Sequence, residues 1–201
     1  MNRTTRALAL ATAALAGVAL QAACGSSTTD AQPAPSVPAS QGAVTDGAAA
    51  DVAFAQLMIP HHAQAVQMAD LALQQGTSPD VLSLAGQIKA AQGPEIELMR
   101  SWLAAWGAPE QMASGDMSMD MGGVNASGMM TDEDMNALMG AAGADFDRMW
   151  LQMMIAHHQG AVQMAQQVLT QSANPEVVAL ATDIVDGQTA EIETMQQLLA
   201  K

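Results

Sequence analysis

The four histidines of this 201-residue chain stand in two adjacent pairs, His61-His62 and His157-His158, each preceded by Met-Ile and one further residue. On a helix, Met58 lies one turn before the first pair and Met154 one turn before the second. Met68 and Met164 follow two turns later on the same face. Imidazole suits copper, zinc, iron and nickel, and a thioether favours soft Cu(I), so these residue types at this spacing point to transition-metal binding. A lone histidine on an apolar face is ordinarily a satisfied core residue, and methionine at such spacing is ordinarily core filling. Two pairs at equivalent places, in a chain with no other histidine, outweigh the first objection. For Met68 and Met164 both readings stay open.

The equivalence comes from an internal repeat. An offset of 96 residues carries His61 onto His157, Ala65-Val66-Gln67-Met68-Ala69 onto Ala161-Val162-Gln163-Met164-Ala165, and Glu95-Ile96-Glu97 with Met99 onto Glu191-Ile192-Glu193 with Met195. A gapless match of this length is a duplication, and two copies of one unit are expected to pack about a pseudo-twofold axis. Each unit reads as a helical hairpin. Phe54, Met58, His61, Ala65, Met68 and Ala72 follow a 4-3-4-3-4 spacing, repeated by Trp150, Met154, His157, Ala161, Met164 and Val168. Gly76-Thr77-Ser78-Pro79 and Ser172-Ala173-Asn174-Pro175 are turns with a cap and a first-turn proline. Second helices follow from about Asp80 to Trp106 and from Glu176 to Leu199, with Val81, Ala85, Ile88, Gln92 and Met99 inward. Nothing alternates with period 2. The expectation is all-α: a four-helix bundle of two repeated hairpins with a Met-rich connecting segment.

A turn near Thr77-Ser78 puts Glu95 level with His61, and by the repeat Glu191 level with His157. Glu95 shares a face with Gln92 and Met99, whereas Glu97 points away toward Lys89 and Arg100 as a solvated ion-pairing residue. The candidate metal ligands are therefore His61, His62, His157, His158, Met58, Met154, Glu95, Glu191, Met99, Met195, Met68 and Met164. Within the connecting segment Met112, Met117, Met119, Met121, Met129 and Met130 stand among Gly, Ser and Asp without seam spacing. They read as a flexible outer loop that gathers soft metal, with a tolerated linker insertion or a surface for a partner protein as the alternatives. Thr131-Asp132-Glu133-Asp134 then caps a short helix running to about Ala142.

Asp and Glu number 20 against 6 Lys and Arg, a formal charge of −14, which repels phosphate backbones and argues against nucleic-acid binding. One cysteine excludes a disulfide framework or a Cys-rich zinc site. Arg3 and Arg6, an apolar run from Ala7 to Leu20 and the small residues before Cys24 have the layout of an export signal, with Cys24 at the position of a lipidated cysteine. The expected organisation is a signal at 1–23, a tether at 24–50 and a bundle at 51–201. The bundle divides into repeat one (51–106), a Met-rich linker (107–130), a short helix (131–143) and repeat two (144–200). The protein is expected outside the cytoplasm, held to the membrane only through a lipid anchor.

Met58-Ile59-Pro60-His61-His62 and Met154-Ile155-Ala156-His157-His158-Gln159-Gly160-Ala161, with Glu95-Ile96, Met99, Trp102-Leu103 and Trp106-Gly107, resemble the secreted proteins grouped as domain of unknown function 305. That resemblance implies a ferritin-like bundle with the four histidines as functional residues, and some members bind copper. The second copy departs from the pattern, since Leu198 stands where Trp102 would repeat. Three functions compete at this level: a non-enzymatic binder of Cu(I), Cu(II) or a similar transition metal; a ferritin-like dinuclear oxidoreductase; and a metal-free adaptor. The second is disfavoured because the chain has no Glu-x-x-His.

Overall fold

The computed structural model describes residues 46–111 and 128–201. The expected export signal, Cys24, almost all of the tether, and Met112, Met117, Met119 and Met121 lie outside them. Four long helices and one short helix follow in order: α1 (Asp46–Gln75), α2 (Pro79–Trp106), α3 (Asp132–Gly140), α4 (Gly143–Leu169) and α5 (Pro175–Leu199). There is no strand among the described residues, and none of their helices is long and apolar enough to cross a membrane. α1 starts five residues before the expected bundle boundary. Asp46-Gly47-Ala48-Ala49-Ala50 is helix rather than tether, because alanine is the best helix former. α3 is capped by Thr131, whose hydroxyl accepts from the Asp134 amide while the Asp134 carboxylate accepts from the Thr131 amide.

α1 packs on α2 and α4 on α5, and the two hairpins meet mainly through α1 and α4. All twelve seam residues of α1 and α4 are buried. The apolar core falls into two clusters. One joins the first half of α1 and the second half of α2 to the second half of α4 and the first half of α5, from Phe54 and Met99 to Met164 and Ile184. The other joins the remaining halves with α3, from Met68 and Ile88 to Trp150, Met154 and Met195. Every long helix has an interval between the two clusters, and these intervals hold His61 and His62, Gln92 and Glu95, His157 and His158, Gln188 and Glu191. A polar layer thus crosses the middle of the bundle. Both in-helix prolines fall there, Pro60 before His61 and Pro94 before Glu95. Each removes one main-chain hydrogen bond, and the repeat has Ala156 and Ala190 in their places.

Three contacts tie the hairpins together. The Trp150 indole N–H donates to the Met68 carbonyl across the α1–α4 contact at 2.9 Å. Asp147, buried in α4, accepts from the Thr77 hydroxyl at 2.6 Å and from the Thr77 and Ser78 amides at 3.0 and 2.9 Å. It thereby holds the turn that leads into α2, whose N-cap Ser78 makes no side-chain cap bond of its own. Gln64 of α1 grips the main chain of Met130, accepting from its amide at 2.7 Å and donating to its carbonyl at 2.8 Å. Next to it Gly128 (φ 92°) lies so close to α4 that a Cβ there would fall 2.3 Å from the Ala156 carbonyl oxygen. The expectation that the connecting segment is loose up to Met130 is corrected at this point. Its last residues are bonded to α1 and pressed on α4, and Met130 packs against the core. The amide side chain of Gln64 carries no periodicity that would announce such a grip.

Asp51 occupies the place in α1 that Asp147 holds in α4, yet its buried Oδ1 has no partner. The reason is chemical: Ala173 replaces the hydroxyl of Thr77, and Asn174 caps α5 from its own side chain, accepting from the Glu176 amide at 3.0 Å. Asp147→Ala should therefore cost about 2–3 kcal/mol in chemical denaturation, the loss of the turn's side-chain acceptor plus orphaned donors. Asp51→Ala should cost well under half as much. Equal losses at the two positions would show that Asp147 does not hold the turn.

Candidate metal centre

The four histidines lie in the polar layer and are at most 1% exposed. His61 and His157 come from the two helices that join the hairpins, and their rings face each other with centroids 3.7 Å apart and planes inclined by 39°. His62 and His158 are rotated outward about one helical step, with centroids 6.5 and 6.3 Å from their neighbours in each pair. The pseudo-twofold of the sequence is thus realised as an imidazole cluster at the α1–α4 contact.

Each outer imidazole meets a carboxylate. Nε2 of His62 lies 2.7 Å from Oε2 of Glu95, and Nε2 of His158 lies 2.7 Å from Oε2 of Glu191. The expected register is off by one residue here, since Glu95 and Glu191 pair with the second histidine of each pair rather than the first. His61 and His157 are taken up by each other, leaving the outer ring to face the second helix of its own hairpin. With the carboxylate as acceptor, Nε2 carries the proton and Nδ1 keeps its lone pair. Nδ1 of both His62 and His158 is buried without a hydrogen-bond partner. Glu97 points to solvent, 71% exposed at the side chain, and pairs with Arg100 at 2.8 Å; Lys89 bonds Asp70 instead.

The six candidate thioethers are all buried, and they divide evenly about the layer. Met58, Met99 and Met164 belong to one core cluster, and Met68, Met154 and Met195 to the other. Each trio draws on both repeats, a distribution invisible in one hairpin alone. Among the described residues no three His, Cys, Asp or Glu side chains gather as a ready three-ligand site. The imidazole–carboxylate contacts come in twos, and the six buried thioethers are soft donors in the core clusters that flank them.

Two residues of the layer go beyond the sequence-derived set. Gln92 and Gln188 are 2% and 5% exposed, and both polar atoms of Gln92 and Oε1 of Gln188 lack partners. The available signal was a doubled Gln-x-x-Glu, one copy in each second helix. Buried amides without partners cost about 1–3 kcal/mol each, so their retention needs a reason beyond stability.

Neither ring nitrogen of His157 has a hydrogen-bond partner of good geometry. Burial holds this imidazole well below its ordinary 6.5, the proximity of His61, His158 and His62 lowers it further, and the nearby His61 backbone opposes the shift weakly. The unfolded chain would protonate at the ordinary value, so the contribution to stability is complete above pH 6.5 and is lost as pH falls through the depressed folded value. The thermal midpoint of metal-free protein should decline already between pH 6.5 and 5.5, above the carboxylate range. A midpoint flat across that interval would mean that the imidazole is not held neutral.

The family described as Domain of unknown function (DUF305) matches residues 51–199. Among solved structures, the chain is similar to a DUF305 protein from Streptomyces coelicolor, with 33% identity and a TM-score of 0.68 over 75% of this chain and 92% of that one. It is also similar to CopM in the Cu(II)-bound form, with 34% identity and a TM-score of 0.62 over 75% of this chain and 95% of that one. For CopM in the Cu(I)-bound form the identity is 35% and the TM-score 0.62, over 74% and 94% of the two chains. No curated protein matches it.

Proposed function

The chain belongs to the family of domain of unknown function 305, and on that premise we propose that it is a non-enzymatic copper-binding protein of the extracytoplasmic space, held to the membrane through Cys24. The observation that carries this reading is the polar layer itself. Four fully buried imidazoles, with a buried, unpartnered Nδ1 on His62 and His158, lie between two trios of buried thioethers. Nitrogen with thioether is a donor set for soft Cu(I), with Cu(II) accommodated by the imidazoles. The copper seen in CopM supports the same assignment for this chain.

Different residues have different parts in this proposal. His61, His157 and Nδ1 of His62 and His158 are the nitrogen donors. Glu95 and Glu191 orient the outer rings and fix their tautomer, as carboxylates behind metal-bound histidines commonly do. Met58, Met154, Met99, Met195, Met68 and Met164 are the thioether reserve above and below the layer. Binding would give metal bonds to the buried, unpartnered nitrogens of His157, His62 and His158, which makes copper a stabiliser of the fold. The Met-rich segment before Gly128 would gather the ion outside the core, its end held beside the histidines by Gln64.

Because His61 and His157 touch, they should act as one unit. In competition titrations with a Cu(I) chelator, His61→Ala and His157→Ala should each lower affinity, and the double variant should lose much less than the sum. Strict additivity would refute a shared centre. Glu95→Gln should weaken copper about 10–100-fold, with Glu97→Gln unchanged within error. The reverse order would show that the carboxylate facing His62 has no part in copper binding.

A further inference from the structure

On the outer side of the polar layer, α2 and α5 are separated by a cleft with room of about 50 Å³, against ~30 Å³ for a water molecule in the liquid. Its polar lining is Gln92 and Glu95 from α2 and Asp183, Gln188 and Glu191 from α5. The lining includes three acids and neither lysine nor arginine. Glu95 and Glu191 each give one oxygen, Oε2, to the buried histidine behind, which leaves the second oxygen of each outside that bond. Gln92 and Gln188 are more than nine-tenths buried, and their amide oxygens have no partner. The two Gln-x-x-Glu segments are related by the repeat, so the four side chains approach the cleft as two equivalent pairs.

We propose that this cleft is a second metal site, distinct from the imidazole centre, that takes a hard divalent cation such as Mn²⁺, Mg²⁺ or Ca²⁺. Its ligands are the free carboxylate oxygens of Glu95 and Glu191 and the amide oxygens of Gln92 and Gln188, with water completing the shell. An all-oxygen set is the donor chemistry of hard cations and a poor one for Cu(I). A cation would neutralise two carboxylates that line one cleft with neither lysine nor arginine beside them, and it would satisfy amide oxygens that have no hydrogen-bond partner among the described residues. The overall charge of −14 favours its arrival. Gly187 and Ala91 contribute little bulk to the cleft, and that leaves room for the ion and its water.

The probe is Mn²⁺ added to the full chain, followed by the loss of the free-ion paramagnetic resonance signal. Wild type should bind one equivalent, Mg²⁺ or Ca²⁺ should compete, and protein already loaded with Cu(I) should bind it still. Gln92→Leu with Gln188→Leu should weaken Mn²⁺ at least 10-fold while Cu(I) stoichiometry is retained. Helix content should hold, because apolar groups of similar size replace unsatisfied amides. Crystals soaked in Mn²⁺ give a readout independent of any variant, an anomalous peak between α2 and α5. Absence of Mn²⁺ binding, its displacement by Cu(I), undiminished binding in a folded double variant, or a peak only at the histidines would each overturn the proposal. Failure of Cu(I) to bind would refute the copper reading and leave the Mn²⁺ result standing.

Discussion

The contact between His61 and His157, with ring centroids 3.7 Å apart where α1 and α4 join the two hairpins, is the constraint around which the bundle is organised. Two neutral imidazoles tolerate this approach; two imidazolium ions in a dry interior do not, because their repulsion adds to the desolvation of each. The fold therefore keeps His157 neutral by burial and turns the outer rings toward carboxylates. Apolar clusters on either side insulate the arrangement. The polar layer is expensive: buried nitrogen and amide atoms without partners, at about 1–3 kcal/mol each, weigh heavily against a typical net stability of 5–15 kcal/mol.

The two halves are near copies that have divided their structural labour. Asp147 holds the turn of the other hairpin, whereas Asp51, its equivalent, has a buried oxygen without a partner. Prolines interrupt the main-chain ladder beside His61 and Glu95, and alanines leave it intact beside His157 and Glu191. Gln64 and Gly128 anchor the end of the connecting segment over the junction. The two prolines leave the first half of the layer with fewer main-chain hydrogen bonds than the second. A metal arriving at the layer would meet two chemically equivalent but mechanically unequal hairpins.

Much of this was legible in the residues. Spacing on α1 and α4 identified every seam position, because a side chain that recurs at 4-3-4 intervals can only face one neighbouring helix. The duplication fixed two hairpins, their turns followed from Gly and Pro, and Thr131 announced its own cap. Glu95 was separable from Glu97 by the helical angle alone. The start of α1 was misjudged because alanine before Asp51 resembles the tether in composition yet favours helix.

The sequence by itself determined the all-helical repeat, the level at which the histidines lie, and the kind of chemistry their residue types support. Only the tertiary structure decided which histidine faces which partner. A hairpin's length sets register to about one residue, and one residue on a helix is a rotation of about 100°, the difference between meeting a carboxylate and meeting another imidazole. It also decided that the methionines divide into two trios drawn from both repeats, and that Gln92 and Gln188 share a cleft with Glu95 and Glu191. Those facts belong to the packing of one hairpin against the other, which no local pattern encodes.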